Sequence, residues 1–197
     1  MIAPIKHFAL LNGKMDYYEG FLDPEKSKVI FNTLRDELQW QQDEISMFGK
    51  KYNVPRLQAW YADPGKAYSY SGIKMKTFDW HPLLIELKEK IELQTGYLFN
   101  SVLANYYRDG QDSNGWHSDN EKELGPNPII ASISLGAERN FHIKHRNDKE
   151  SKMKLILQNG SLLTMYGAMQ HHWLHQIAKT KRPVGPRINL TFRLIVT

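Results

Sequence analysis

The chain has 197 residues, a formal net charge of +5 and no cysteine. The length fits one domain, and the lack of cysteine excludes disulfides, thiolate metal sites and a cysteine nucleophile. The basic excess is compatible with a polyanionic partner but does not establish one. Because neither a signal peptide nor a run of about 20 apolar residues is present, we expect a cytoplasmic protein without a membrane segment.

Two segments before residue 100 have helical spacing. The first, LDPEKSKVIFNTLRDELQW, starts with Asp23 as N-cap and Pro24 at the first helical position. Its apolar positions are Val29, Ile30, Leu34 and Leu38. The second, HPLLIELKEKIELQTG, begins near Pro82 and ends before Gly96. Its apolar positions are Leu84, Leu87 and Ile91.

After residue 100 short β-rich runs alternate with turns. The runs are SVLANYY, IIASISL, NFHIKHR, MKLILQN, SLLTMY, HHWLHQI and RINLTFRLIV. About seven or eight strands at this spacing predict a sandwich or jelly roll. We therefore expect an α+β, mainly β protein of one domain, 1–197. Its N-terminal part, 1–100, would supply helices that brace a jelly-roll core formed by 101–197.

The last run, RINLTFRLIV, separates its residues into two faces because strand side chains alternate. Its apolar face comprises Ile188, Leu190, Phe192 and Leu194, and its polar face comprises Arg187, Asn189, Thr191 and Arg193. The polar face is either a solvent-exposed edge with two surface arginines or the lining of a barrel. A buried arginine needs a counter-charge. No acidic residue alternates with these two, so a bound dicarboxylate would bridge them.

Two further stretches offer ligand-binding groups. In LANYYRDG, Asn105 and Tyr107 share a face, which is either a polar strand edge or an amide and a phenol directed at one ligand. In NGWHSDNE, His117 and Asp119 are two residues apart. This pair is either part of a solvated loop or two ligands of the two-His-one-carboxylate triad that binds Fe(II). The candidates for a third ligand are His142, His145, His171, His172 and His175. If HHWLHQI is one strand, His171 and His175 share a face.

These motifs together resemble the AlkB family of Fe(II)- and 2-oxoglutarate-dependent dioxygenases, in particular the branch that repairs alkylated bases in duplex DNA. The resemblance extends over roughly residues 45–195 and is carried by NYYRDGQDSNGWHSDNEKEL, IASISLGAERNFHIKHR, GSLLTMYG, HHWLHQI and PRINLTFR. It implies a double-stranded β-helix, which is another name for this jelly roll. It also implies iron bound by His117, Asp119 and His175. It assigns 2-oxoglutarate to Asn105, Tyr107, Arg187, Thr191 and Arg193.

The activity that the resemblance implies is oxidative DNA dealkylation. Fe(II), 2-oxoglutarate and O₂ would hydroxylate an N-alkyl carbon of the 1-methyladenine or 3-methylcytosine type, with release of formaldehyde, succinate and CO₂. The damaged base must first leave the duplex. The resemblance makes Phe48, beside Gly49 in SMFGK, the apolar wedge that fills the gap.

The contacts to the flipped base are also implied by the resemblance. Tyr70 would stack on the flipped base opposite His117, with Tyr68 and Glu121 as polar readers. Asn120 follows the metal aspartate where the duplex-repair branch often has a second acid, so the lesion preference is left open. Candidates for phosphate contacts are Arg56, Lys179, Lys181 and Arg182.

Two other functions are retained as alternatives. The same iron chemistry could act on RNA or protein, and the fold could serve a nucleic-acid binder without catalysis. The expected partners are alkylated DNA, duplex and single-stranded, with RNA as a further partner. We expect a monomer, and a location in a bacterial cytosol rather than a nucleus.

Overall fold

The computed structural model describes residues 5–47, 50–66, 69–70 and 73–196, with the backbone alone for 46–47, 69–70 and 73–74. In chain order its elements are β1 (Ile5–Leu10), β2 (Gly13–Tyr18), α1 (Pro24–Glu37), β3 (Glu44–Met47), β4 (Lys50–Asn53), β5 (Leu57–Ala62), β6 (Ser69–Tyr70), β7 (Ile73–Lys74), β8 (Thr77–Phe78), α2 (Pro82–Thr95), β9 (Ser101–Tyr107), β10 (Asn114–His117), a 3₁₀ turn (Lys122–Leu124), β11 (Ile130–Gly136), β12 (Arg139–His145), β13 (Lys152–Leu157), β14 (Ser161–Tyr166), α3 (Met169–His172), β15 (Trp173–Ile177) and β16 (Arg187–Arg193).

Two sheets form the body of the protein. The large sheet has the order β1-β2-β14-β11-β16-β9-β5-β8, and the small sheet has the order β10-β15-β12-β13. Within the large sheet β5 and β8 are parallel, and the other neighbours are antiparallel. The large sheet takes four strands from the first 100 residues. A boundary at residue 100 therefore does not coincide with the sheets.

Each face of the large sheet is covered by a different layer. On one face, side chains of α1 and α2 pack with strand residues such as Val102, Ile133 and Leu190. On the other face, Leu103 and Leu163 pack with Phe141 and Trp173 of the small sheet. The second of these layers lies between the two sheets. Polar side chains that point into it are therefore enclosed on both sides.

Both helices begin where the sequence predicts, and α2 also ends there, whereas α1 ends at Glu37 and the predicted helical residue Leu38 is its C-cap. The side chain of Asp23 accepts hydrogen bonds from the backbone N–H groups of Glu25 and Lys26. Gly96 ends α2 with a φ of 75°, which glycine adopts without strain. One position was wrong: Val29 is 64% exposed. The buried residues of α1 are Ser27, Ile30, Phe31 and Leu34.

Two strand predictions need correction. HHWLHQI is not one strand, because His171 and His172 belong to α3 and β15 begins only at Trp173. His171 therefore does not share a strand face with His175. In the last strand Leu194 was expected in the core but is 42% exposed, because β16 ends at Arg193. Among the described residues, no helix combines the length and the apolar composition that a membrane span requires.

Candidate metal and co-substrate site

A pocket between the two sheets holds the candidate site. β16 lies between β9 and β11, and its polar face is directed into the inter-sheet layer. Cross-strand pairing places Arg187 opposite Tyr107 and Asn189 opposite Asn105. The pocket is lined by every residue predicted to bind metal or co-substrate, namely Asn105, Tyr107, His117, Asp119, His175, Arg187, Thr191 and Arg193. The interpretation of β16 as a solvent-exposed edge is therefore wrong.

Three potential metal ligands meet in this pocket. Candidate ligand atoms of His117, Asp119 and His175 lie within 4.8 Å of one another. β10 supplies His117 and the neighbouring strand β15 supplies His175, and the two residues are direct cross-strand partners. Their ring centroids are 4.2 Å apart. Among the described residues, this is the one cluster of three or more histidine, aspartate or glutamate side chains with such spacing.

The protonation states of the three side chains suit a divalent cation. Burial lowers the pKa of His117, and burial with the nearby charge of His117 lowers the pKa of His175 to about 3. Burial alone would raise the pKa of Asp119. The charge of Arg193, assisted by the two histidines, outweighs burial and lowers it to about 2. Near neutral pH the trio therefore consists of two neutral imidazoles and one carboxylate, the forms that bind metals.

Hydrogen bonds orient the trio from outside. Nδ1 of His117 lies 2.7 Å from the carbonyl oxygen of Gly115, which makes Nδ1 the protonated nitrogen and leaves the lone pair on Nε2. The backbone N–H of Asp119 donates to Oε1 of Gln170 at 3.0 Å. Gln170 is completely buried and lies in α3, directly before the strand that carries His175. This hydrogen bond therefore connects the segments that carry two candidate ligands.

The two arginines of β16 have different partners. Nη2 of Arg193 donates to Oδ1 of Asp119 at 2.9 Å, and both side chains are almost completely buried. No acid alternates with the two arginines within the last strand, as the sequence shows, but the acidic partner of Arg193 comes from the segment after β10. A dicarboxylate that bridges both guanidinium groups as their only counter-charge is thus excluded. Arg193 instead holds the candidate metal ligand in place.

Arg187 has no acidic partner among the described residues. Its side chain is 1% exposed, and Nη2 donates to Oγ of Ser134 at 2.9 Å. Nε and Nη1 are buried and make no hydrogen bond within the described part of the chain. The guanidinium carbon lies 5.2 Å from the ring centroid of Tyr107. Burial lowers the pKa of Arg187 to about 10, so the group stays charged at neutral pH. It is a buried cation with two unused donors, which suits an anionic ligand.

Asn105 has a fixed amide orientation. Its Oδ1 accepts from Nε of Arg56 at 2.6 Å and from Nε2 of Gln58 at 3.1 Å. The Nδ2 donors of Asn105 are therefore the atoms directed at a ligand. This corrects the expectation that Arg56 contacts phosphate. Arg56 is 3% exposed and also donates to the backbone oxygen of Ser113, so it lies behind the pocket rather than on the surface.

The sequence did not point to several polar residues of the site. Nδ2 of Asn189 donates to Oγ of Ser132 at 2.7 Å, and Oγ1 of Thr191 donates to Oδ1 of Asn189 at 3.0 Å. The sequence places Asn189 on the polar face of β16, between the two arginines, but assigns it no role there. Ser134, Gln58 and Gln170 had no such signal, since each acts through a partner that is distant in sequence.

The remaining candidate residues lie outside the pocket or are not among the residues that the structure describes. Among the alternative metal ligands, the ring of His145 is stacked on that of His172, with centroids 5.8 Å apart. Asn120 is exposed and Glu121 is half-buried. The basic side chains Lys179, Lys181 and Arg182 are exposed in the loop between β15 and β16. Phe48, Gly49 and Tyr68 are outside the described residues, and of Tyr70 only the backbone, in β6, is described.

Comparisons with known proteins agree with this geometry. Residues 14–193 match the 2OG-Fe(II) oxygenase superfamily. The chain is 41% identical over 187 residues to human "Alpha-ketoglutarate-dependent dioxygenase alkB homolog 3", covering 90% of the chain but 65% of that relative. It is 38% identical over 191 residues to mouse "DNA oxidative demethylase ALKBH2", covering 92% of the chain and 80% of the relative. The chain thus spans slightly less than two thirds of the alkB homolog 3 proteins.

A solved structure shows the same fold. The protein described as "The structure of OsALKBH1" superposes with a TM-score of 0.63 at 18% identity, covering 96% of this chain and all of the other. At that identity the likeness concerns the fold alone. Together with the sequence matches, it confirms the predicted mainly β jelly roll. The chain belongs to the 2OG-Fe(II) oxygenase superfamily and, within it, to the AlkB family.

Proposed function

We propose that the chain is an Fe(II)- and 2-oxoglutarate-dependent dioxygenase that removes N-alkyl groups from damaged bases in DNA. One observation carries the proposal: a buried His-Asp-His cluster and a buried arginine without an acidic partner among the described residues line one pocket. The cluster fits a divalent metal, and the arginine fits a carboxylate. A site with both groups suits a metal ion together with a dicarboxylic co-substrate.

His117, Asp119 and His175 would hold the iron. Two imidazole nitrogens and one carboxylate oxygen form the facial triad typical of non-haem Fe(II) oxygenases, which leaves positions for other ligands. Arg193 and Gln170 keep Asp119 in place through its carboxylate and its N–H group. Because the two histidines have lowered pKa values, they need not lose a proton when metal binds.

Arg187 would bind the distal carboxylate of 2-oxoglutarate. Nε and Nη1 are buried donors without a hydrogen-bond partner among the described residues, and they lie on different edges of the guanidinium group, so a carboxylate would accept from one of them. Asn105 would add an amide donor, since Arg56 and Gln58 occupy its oxygen. Tyr107 lies against Arg187 and narrows the pocket, and Thr191 lines the wall between the arginine and the metal cluster.

When bound, iron with 2-oxoglutarate and O₂ supplies the oxidation that hydroxylates the N-alkyl carbon and yields succinate and CO₂. The hydroxyalkyl product then breaks its C–N bond and releases formaldehyde, while the base nitrogen regains its electron pair. The chain's own contribution is to enclose the reaction between two sheets. Apolar side chains such as Leu103, Phe141 and Met165 line the pocket beside the polar groups and limit the access of water.

DNA is the proposed substrate because mouse ALKBH2, at 38% identity, is named a DNA oxidative demethylase. The net charge of +5 and the exposed group Lys179, Lys181 and Arg182 favour a polyanion. Asn120 and Glu121 directly follow Asp119, so they are candidates for contacts with the base. Tyr68 and Tyr70 are proposed as readers of the base by family resemblance alone.

The test of this function is turnover on matched oligonucleotides. Single- and double-stranded DNA and RNA with 1-methyladenine, 3-methylcytosine or ethenoadenine would be incubated with Fe(II) and 2-oxoglutarate, and formaldehyde and succinate measured together. We expect equal amounts of both products from methylated DNA. Asp119→Ala should abolish both, whereas His171→Ala, at an exposed position outside the pocket, should retain them. Succinate formed only with a methylated protein would contradict the DNA proposal, and binding without succinate would indicate a non-catalytic binder.

Preference for duplex DNA is a separate proposal. β3 and β4 are antiparallel neighbours with Met47 opposite Lys50, and Phe48 and Gly49, which follow Met47 in the sequence, are outside the described residues. An aromatic residue there would replace a flipped base in the stack. Phe48→Ala should slow repair of duplex more than repair of single strands, since a single strand has no gap to fill. Equal slowing of both would remove Phe48 from the role of wedge.

A further inference from the structure

The outer face of the small sheet carries an unusual distribution of charge. None of its four strands, NGWH, WLHQI, RNFHIKH and KMKLIL, contains an aspartate or glutamate. The side chains of β12 and β13 that are at least partly exposed include Lys144, Lys152 and Lys154. The nearest acids along the chain, Glu138, Asp148 and Glu150, lie in the turns that flank these strands. The strands of this face therefore carry lysines and no acidic side chain.

Two lysines on this face are directly opposed across strands, and a histidine is opposite a third lysine. In the register of β12 and β13, Lys144 pairs with Lys152, and His142 pairs with Lys154. Like charges at directly opposite positions destabilise a sheet. A fold that retains this arrangement gains stability when an anion binds over it. Lys152 and Lys154 project from the same face about 6.6 Å apart, from a rise of about 3.3 Å per residue.

An exposed aromatic ring borders the lysines. Trp116 is 40% exposed, and Nζ of Lys144 lies 4.3 Å from its ring centroid. Trp116, His142, Lys144, Lys152 and Lys154 line one surface groove. Trp116 directly precedes His117, whose side chain lines the pocket on the inner side of the same sheet. The groove thus lies behind the candidate metal site, one residue away along the chain.

We propose that this groove binds a single-stranded stretch of the nucleic acid, on the side of the small sheet opposite the pocket. Lysines that follow a phosphate backbone and an aromatic ring that stacks on a base are the two components of single-strand binding sites. Trp116 is the stacking platform, and Lys144, Lys152 and Lys154 contact phosphates. The inference rests on the proposed nucleic-acid substrate and adds a second contact region on the opposite side of the sheet.

The test is fluorescence anisotropy with an unmodified, end-labelled oligothymidylate of about 15 nucleotides, in the range of known single-strand site sizes. The double variant Lys152→Gln/Lys154→Gln should bind more weakly. The slope of the logarithm of its binding constant against the logarithm of salt concentration should be shallower by about 1.4, because each of the two lost phosphate contacts contributes about 0.7. The matched control Lys14→Gln/Lys28→Gln removes the same charge from exposed lysines of β2 and α1 and should bind like the unaltered protein.

The aromatic contact has its own variants. Trp116→Ala should weaken binding by about fivefold or more, the effect of losing one base–aromatic stack, and Trp116→Phe should restore most of it. Equal losses in both double variants would overturn the proposal, since net charge alone would then account for binding. A second result would also overturn it: Trp116→Ala binds the oligonucleotide as tightly as the unaltered protein does, and polyglutamate displaces the oligonucleotide equally well. The groove would then bind an acidic protein rather than a nucleic acid. Anisotropy needs no turnover, so a failure of dealkylation with binding intact would count against the proposed function alone.

Discussion

Replacement of Arg187 by methionine should affect stability and co-substrate binding in opposite ways. In the protein without ligand, Arg187 is a buried cation with one hydrogen bond, to Ser134, and two buried nitrogens that make none. Exchanging such a group for an apolar side chain of similar length is often neutral or stabilising. We therefore expect the melting temperature of Arg187→Met without ligand to equal or exceed that of the unaltered protein.

Binding of 2-oxoglutarate should weaken sharply in the same variant. Loss of one partner of a buried charge pair costs about 2–5 kcal/mol, or about 30-fold or more in affinity. Isothermal titration with Mn(II) in place of Fe(II), without O₂, measures this directly, and the thermal shift induced by 2-oxoglutarate should disappear. A variant that melts several degrees lower but keeps its ligand-induced shift would refute the reasoning, because Arg187 would then be structural.

Arg139→Met is the matched control. Arg139 is also buried, but it donates to three backbone carbonyl oxygens, those of Asp109, Asp112 and Ala178. Its removal leaves buried acceptors unsatisfied, which costs about 1–3 kcal/mol each. We expect Arg139→Met to lower the melting temperature while it retains the 2-oxoglutarate-induced shift. The pair of variants thus separates a ligand-binding arginine from a structural one.

Three further predictions follow from contacts around the pocket. Gln170→Met removes the acceptor of the Asp119 N–H and should lower Mn(II) affinity by about 10- to 100-fold in a titration followed by electron paramagnetic resonance; unchanged affinity would exclude this positioning role. Arg56→Met frees the Asn105 amide and should raise the 2-oxoglutarate dissociation constant by about tenfold, the lower limit for loss of a residue that orients a ligand-binding group. A shallower salt dependence of oligonucleotide binding in this variant would show instead that Arg56 contacts a phosphate. Asp112→Asn tests the ion pair between Asp112 and Arg108. Burial raises the pKa of Asp112, but its contacts with Arg108 outweigh burial and lower that pKa. The stability that the variant loses in urea unfolding should be greatest above the ordinary pKa of 3.8 and shrink as pH falls below it, and a pH-independent difference would contradict this.

Strand alternation made much of the site predictable. It assigned Arg187, Thr191 and Arg193 to one face of β16, and Asn105 and Tyr107 to one face of β9, and all five line the pocket. The spacing of His117 and Asp119 left a solvated loop or a metal pair open, and the family resemblance predicted the metal pair. The alternation of side chains depends only on the residues of one strand, so it can be read from the local sequence.

Contacts between distant segments could not be predicted from these patterns. Asp119 is 74 residues from Arg193, and nothing in either motif indicates that the two form a buried ion pair. Arg56 is charged and follows a proline, a pattern typical of a surface residue. In the fold it is buried, because β5 pairs with β9 and Arg56 donates a hydrogen bond to Asn105 of β9. Val29 satisfied the helical pattern, but the face of α1 that packs on the large sheet is centred on Ile30 and Leu34.

A crystal structure of the chain with Mn(II) and 2-oxoglutarate, grown without O₂, tests the central claim most directly. We expect the metal to be bound by one nitrogen each of His117 and His175 and by the carboxylate of Asp119, with the distal carboxylate of 2-oxoglutarate on the guanidinium group of Arg187. The Arg193–Asp119 ion pair should persist. A metal bound by other side chains, or a co-substrate whose carboxylates both avoid Arg187, would contradict the account.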